Sequence, residues 1–259
     1  MSALLESQHG DVLMLTLNRP AARNALTAEM KAELIAVLER ESQKPDHRAL
    51  LIKGAGGAFC SGADARPDEI LSRRGTIAAE IKSGMNRIVT LMAGLPYPVV
   101  AAVQGPAAGA GTGLALAADL MVVARSARLH VNFTKIGALP DAGTVAELTH
   151  RVGTARASSL ALLGGVIEAH QAMEWGLATK LLSEDKFEDK ALAFVAEIAA
   201  GPTRALGLTK RLLASARLNS MAAHLALEAD LQAEAFASLD FEEGVRARAE
   251  KRTPRFTGK

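Results

Sequence analysis

Two glycine-rich stretches carry the residue types suited to holding a negative charge. Residues 57–64 read Gly-Ala-Phe-Cys-Ser-Gly-Ala-Asp and follow the strand-like run Ala49-Leu50-Leu51-Ile52. Residues 109–113 read Gly-Ala-Gly-Thr-Gly, after the apolar run at 99–103 and before an Ala/Leu-rich stretch. Small residues let backbone approach a ligand, and a turn leaves N–H groups unpaired and aimed at one spot. Such a cradle suits a phosphate, a developing oxyanion, or nothing beyond its own turn. A dinucleotide loop calls for G-x-G-x-x-G in the first βα unit with an acid about 20 residues later. Here the spacing is G-x-G-x-G, deep in the chain, and no Walker-type Gly-Lys-Ser/Thr occurs. Two readings stay open: close helix–strand packing, or an oxyanion hole in which an amide at the helix N-terminus faces the turn at Ala63.

These stretches need elements to hold them. Residues 11–17 read as a strand ended by Asn18-Arg19-Pro20, and Thr27 as the N-cap of a helix over 28–41 with Met30, Leu34, Ile35 and Leu38 on one face. A strand at 48–53 leads into the first cradle. The charged stretch 65–75 reads as a mobile loop, followed by one long helix over 76–95 that Pro96-Tyr97-Pro98 stops. Residues 99–103, 120–124 and 128–131 read as strands. From 142 onward the pattern is mainly helical, with a short strand near 179–182. The expectation is an α/β core over 1–200 with a C-terminal helical region over 201–259, in one structural unit.

Composition narrows the class. Hydrophobic residues make up 49% of the 259, but aromatics only 3%, so the core must be Ala, Leu, Val and Ile. A net charge of +2 with interspersed signs lacks the basic stripe of a nucleic-acid binder. The single cysteine, Cys60, excludes an internal disulfide and a Cys-rich zinc site. The N-terminus lacks a basic region before an apolar stretch, and no apolar run reaches 18 residues. The expectations are a cytoplasmic chain with no membrane partner.

Five ordered segments carry a resemblance. They are Leu-Asn-Arg-Pro-Ala-Ala-Arg-Asn-Ala-Leu at 17–26, the cradle at 53–64, Ala-Ala-Val-Gln-Gly-Pro-Ala-Ala-Gly-Ala-Gly-Thr-Gly within 101–124, the segment 133–153 containing Leu139-Pro140-Asp141-Ala142-Gly143, and the Glu-Gly…Lys-Arg-x-Pro-x-Phe tail within 242–256. Over nearly its whole length the chain resembles the crotonase, or enoyl-CoA hydratase/isomerase, superfamily. That resemblance implies a spiral of ββα units and a C-terminal helical region that packs across a homotrimer or dimer of trimers. It implies an acyl-CoA substrate whose thioester carbonyl sits between the amides of Ala63 and Ala110. No cofactor or metal is implied beyond the substrate's own coenzyme A. By the same resemblance Ala25, Ser61, Asp64, Gly109, Phe133 and Pro140 fall at substrate-binding positions. Arg23 and Arg66 match basic positions used for coenzyme A, and Lys251 or Arg252 would add charge from a neighbouring subunit.

The pattern departs from the hydratase members at both of their glutamates. The matching positions hold Gly113 and Phe133, and no acid occurs between residues 120 and 140. What remains is Asp141, where other branches of the superfamily place an aspartate. One carboxylate beside an oxyanion hole can take an α or γ proton and return it elsewhere, shifting a double bond. Its competing role is a cap on the helix that follows. Isomerase chemistry with Asp141 as acid/base is therefore expected over an atypical hydratase or a non-catalytic CoA-binding protein. Glu147, two helical turns on, is the reserve second acid.

Overall fold

The computed structural model describes residues 2–64 and 67–259. Its strands are β1 (Leu4–His9), β2 (Val12–Leu17), β3 (Ala49–Gly54), β4 (Val99–Val103), β5 (Pro106–Ala108), β6 (Leu120–Ala124), β7 (Arg128–His130), β8 (Val166–Glu168) and β9 (Lys180–Leu182). Six of them form one sheet in the order β1-β2-β3-β4-β6-β9, antiparallel at β1–β2 and parallel elsewhere. The other three form a small sheet, β5-β7-β8. Alternation along the strands builds two cores. Leu13, Leu15, Leu17, Leu50 and Ile52 face one side, under the helices Ala28–Gln43 and Met85–Gly94; Val12, Met14, Ala49 and Leu51 face the other, under Phe187–Ala199. Strand β4 is buried at every residue, as its unbroken apolar run requires.

Thr27 caps its helix as expected, accepting from the Met30 N–H at 3.1 Å. Four local expectations change. Residues 4–9 add β1, an antiparallel edge with Leu4 buried and most other side chains outward. The stretch expected as a loop holds a short helix, Pro67–Ser72, and a 3-10 turn, Arg73–Gly75. The single long helix is two, Ile77–Ser83 and Met85–Gly94, because Gly84 sits at φ −100°, ψ −101°. Residues 166–168 form β8, whose three-residue length hides between helical patterns.

Three helices follow residue 201: Thr203–Ala216, Met221–Phe236 and Leu239–Glu250. The first is anchored by Lys210, whose Nζ pairs with Asp119 at 2.8 Å and donates to the Met92 carbonyl at 2.6 Å. Asp119 also accepts from the Val99 N–H, so this ion pair ties the helix to the first residue of β4.

Candidate active site

The segment before helix Ala28–Gln43 holds the first cradle. Asn24, fully buried, donates from Nδ2 to the carbonyls of Ala55 and Ala58, both at 2.8 Å, and accepts from the Arg19 N–H at 2.9 Å. All its amide capacity goes to shaping the turn, a role the sequence reading missed although Asn24 lies in the quoted 17–26 motif. The Ser61 N–H donates to the Arg23 carbonyl at 2.9 Å, and the Ser61 hydroxyl to the Ala22 carbonyl at 3.1 Å. Asp64 closes the turn through Arg19, 2.7 Å away, and Arg19 in turn donates to the Ala25 carbonyl. The Leu26 N–H donates to the Gly62 carbonyl and the Asp64 N–H to the Leu26 carbonyl. Between them, the Ala63 N–H has no hydrogen-bond partner among the described residues.

The two cradles touch. The Phe59 N–H donates to the Pro106 carbonyl and the Ala108 N–H to the Cys60 carbonyl, at 3.0 and 2.8 Å. Gly62 lies at φ +97°, and a Cβ there would sit 2.8 Å from the Ala108 oxygen and 3.5 Å from the Ala110 nitrogen. Only glycine supplies both that conformation and that approach. The helix Ala110–Leu116 begins beside it, and its first N–H, that of Ala110, also lacks a partner among the described residues. Two unpaired amides on adjoining turns, one at the positive end of a helix, have the make-up of an oxyanion hole. Cys60 is wholly buried and burial pushes its thiol up to about 11, which suits packing and not nucleophilic attack.

Asp141 enters from the turn ahead of helix Thr144–Leu163. It does not cap that helix: the N-cap is Gly143, without a side-chain bond, and the Thr144 N–H goes to the main-chain carbonyl of Asp141. Its Oδ1 is buried with no partner among the described residues. Burial pushes its carboxyl above the usual carboxylate range, opposed by a hydrogen bond to its own backbone and by the charge of Lys31. Asp141, Ala63 and Ala110 line one pocket of about 80 Å³. Leu26, Met85 and the pair Ile77 and Ile81 supply its apolar wall; Lys31, Arg73 and Glu80 add charge. Sequence reasoning missed Arg73 and Glu80, which lie in stretches read as a loop and as one long helix.

The other predicted residues are placed around this pocket. Arg23, Ala25, Ser61 and Asp64 build the turn behind Ala63, and the Arg23 side chain is exposed and unpaired among the described residues. Phe133 is buried and its ring covers Gly109, 3.9 Å from where a Cβ would stand. Pro140 lies on a neighbouring groove with Leu139 and Leu162. Arg66 lies outside the described residues. Glu147 does not reach the site: Arg151 at 2.9 Å and Arg217 at 2.6 Å hold its carboxylate. Arg252 is likewise engaged, with Glu243 and Glu250 of its own chain. Among the described residues no cluster of metal-ligating side chains occurs, and no single helix is long and apolar enough to cross a membrane.

Residues 7–259 match the family model for enoyl-CoA hydratase/isomerase. Over the full length of both chains the protein is 39% identical to 1,2-epoxyphenylacetyl-CoA isomerase of Escherichia coli K12 and 34% identical to 2,3-dehydroadipyl-CoA hydratase of the same organism. It also superimposes on the crystal structure of an enoyl-CoA hydratase from Bacillus anthracis with a TM-score of 0.92 at 28% identity, covering all of both chains. The expected spiral α/β fold with a C-terminal helical region is thereby shown.

Proposed function

Since this chain belongs to the enoyl-CoA hydratase/isomerase family, we propose that it is an acyl-CoA isomerase that moves a double bond by proton transfer through Asp141. The observation that carries the reading is the buried Oδ1 of Asp141 in a pocket shared with the amides of Ala63 and Ala110, all three without a hydrogen-bond partner among the described residues. The Asp141 carboxylate removes the α proton of a β,γ-unsaturated acyl-CoA. The C–H electron pair moves into the thioester, and the two amides hold the negative oxygen of the dienolate. The protonated Asp141 returns the proton to the γ carbon, leaving the α,β-unsaturated thioester and the original carboxylate. The step needs no oxidant and no group beyond the substrate's own coenzyme A. A carboxyl pushed up by burial is a stronger base once ionised than an exposed one.

Gly113 and Phe133 support the same reading, since neither can activate or deliver water. A hydratase with unusual catalytic groups is the second reading, favoured by the 34% identity to a hydratase. A screen of short, long and aryl-substituted enoyl-CoA thioesters with product identification separates them. Isomerised thioesters are the expected products, and β-hydroxyacyl-CoA as the main product of every substrate would refute the proposal. The identity to the epoxyphenylacetyl-CoA isomerase makes aryl-type acyl groups the first to try.

Coenzyme A binding belongs to the same proposal, with the exposed Arg23 meeting nucleotide phosphates. Arg23→Ala is expected to weaken CoA thioesters by about 1 kcal/mol or less, falling with added salt, and pantetheine thioesters not at all. Calorimetric titration of both ligands checks this; equal losses would remove Arg23 from the phosphate site.

We also place the chain in the cytoplasm as a homotrimer or dimer of trimers. Phe236 and Phe241 stack with centroids 4.0 Å apart, and both are exposed together with Leu239 and Val245, which leaves an apolar face open on the single chain. Light scattering at micromolar concentration is expected to give a mass of three or six chains, and a stable monomer would contradict it.

A further inference from the structure

We propose that Lys31 reads the acyl group of the substrate: its ammonium donates to a neutral oxygen on the acyl chain, and the pocket thereby selects oxygen-bearing acyl-CoA thioesters over plain hydrocarbon ones. The inference rests on the proposed acyl-CoA site at Ala63, Ala110 and Asp141 and names the acyl class it takes. Lys31 lines the same pocket as those three residues. It is half-buried, and its side chain has no ion pair or hydrogen bond among the described residues. Its own helix, Ala28–Gln43, offers it no carboxylate. The positions three and four away are Thr27, Ala28, Leu34 and Ile35, and Glu29, two residues back, does not face it. Lys31 also stands at the end of the first turn, where the helix dipole disfavours a cation. Neither helix stability nor a surface ion pair accounts for a lysine here.

The helix break at Gly84 gives the lysine its seat. A Cβ on Gly84 would lie 3.6 Å from the Lys31 Cδ and 3.8 Å from its Nζ. The end of the side chain therefore rests against bare backbone between helices Ile77–Ser83 and Met85–Gly94. Ile77, Ile81 and Met85 from those helices, with Leu26, form the apolar wall of the pocket. A hydrocarbon chain packed there would strip water from the ammonium and return no acceptor, whereas an oxygen on the chain replaces the lost hydrogen bond. The remaining charges decide the kind of oxygen. Arg73 lies 3.9 Å from Glu80, which leaves Lys31 and Asp141 as the other two charged groups on the wall. The charge of Lys31 already favours the ionised form of Asp141. A carboxylate on the acyl chain would set a second anion beside that base, and an ether, hydroxyl or carbonyl oxygen accepts from the ammonium without the repulsion.

Calorimetric titration with saturated thioesters, which cannot isomerise, tests the recognition apart from the chemistry. Heptanoyl-CoA is compared with 5-methoxypentanoyl-CoA and 4-ethoxybutanoyl-CoA, in which an oxygen replaces one CH2 at either of two positions, and adipyl-CoA supplies the anionic arm. The wild type is expected to bind at least one ether about tenfold more tightly than heptanoyl-CoA. In Lys31→Met, which keeps the apolar stem and removes the donor, that ratio is expected to fall to about one. Lys31→Ala repeats the comparison, with thermal midpoints to identify folded chains. No ether preference in the wild type, or the same preference in the folded variants, would overturn the proposal. So would adipyl-CoA binding more tightly than both ethers and losing that advantage in Lys31→Met, since the acceptor would then be an anion. A wild type that keeps the ether preference but does not isomerise β,γ-heptenoyl-CoA would refute the isomerase reading and leave this one standing.

Discussion

Asp141→Asn is expected to lower proton exchange and double-bond migration by ~10² or more while leaving CoA-thioester affinity within about twofold. Asparagine keeps the size of the side chain and removes only the base. Because Asp141 does not cap its helix, the loss cannot be assigned to fraying of Thr144–Leu163. The pH profile gives a second readout. The base is active when ionised, and burial pushes its carboxyl above the usual carboxylate range, so kcat of the wild type rises with pH through that shifted value. The variant lacks this limb. A variant that retains the limb at full rate would contradict the assignment.

The second large effect concerns stability. Lys210 is buried, and burial pushes its amine below the usual lysine range against the pull of Asp119. Lys210→Met removes the ion pair at 2.8 Å and the hydrogen bond to Met92 while keeping most of the apolar stem. Breaking a buried pair costs roughly 3–5 kcal/mol. The carboxylate left behind is partly exposed and keeps the Val99 N–H, so about 3 kcal/mol is expected, or on the order of 10 °C in Tm. Urea denaturation checks it. A change below about 1 kcal/mol would show that helix Thr203–Ala216 is held by its apolar contacts instead.

Much of this architecture was legible because the residues concerned answer to local rules. Strands at 99–103 and 120–124 were placed to the residue, since a run buried on both faces carries no competing period. The Thr27 cap followed from its hydroxyl preceding an amphipathic stretch. The cradles were recognisable from glycines whose use the fold then explains, as at Gly62. What stayed hidden depends on distant partners. Glu147 looked available until Arg217, 70 residues away, took its carboxylate. Asn24 gave no sign that its amide would hold Ala55 and Ala58. The absence of an acid at 113 was visible, but not that Ala142 occupies the space. The break at Gly84, and the meeting of Arg73 and Glu80 with Asp141 in one pocket, are likewise tertiary events.

The most direct test of single-carboxylate proton shuttling is one incubation of the wild-type protein with β,γ-hexenoyl-CoA in deuterium oxide, followed by NMR of the thioester. The account predicts conjugated α,β-hexenoyl-CoA, carrying deuterium at the γ carbon to the extent that the proton on Asp141 exchanges with solvent before its return, with little β-hydroxyhexanoyl-CoA. Rapid accumulation of β-hydroxyacyl-CoA, with no deuterium at the α or γ carbon of the remaining alkene, would contradict it.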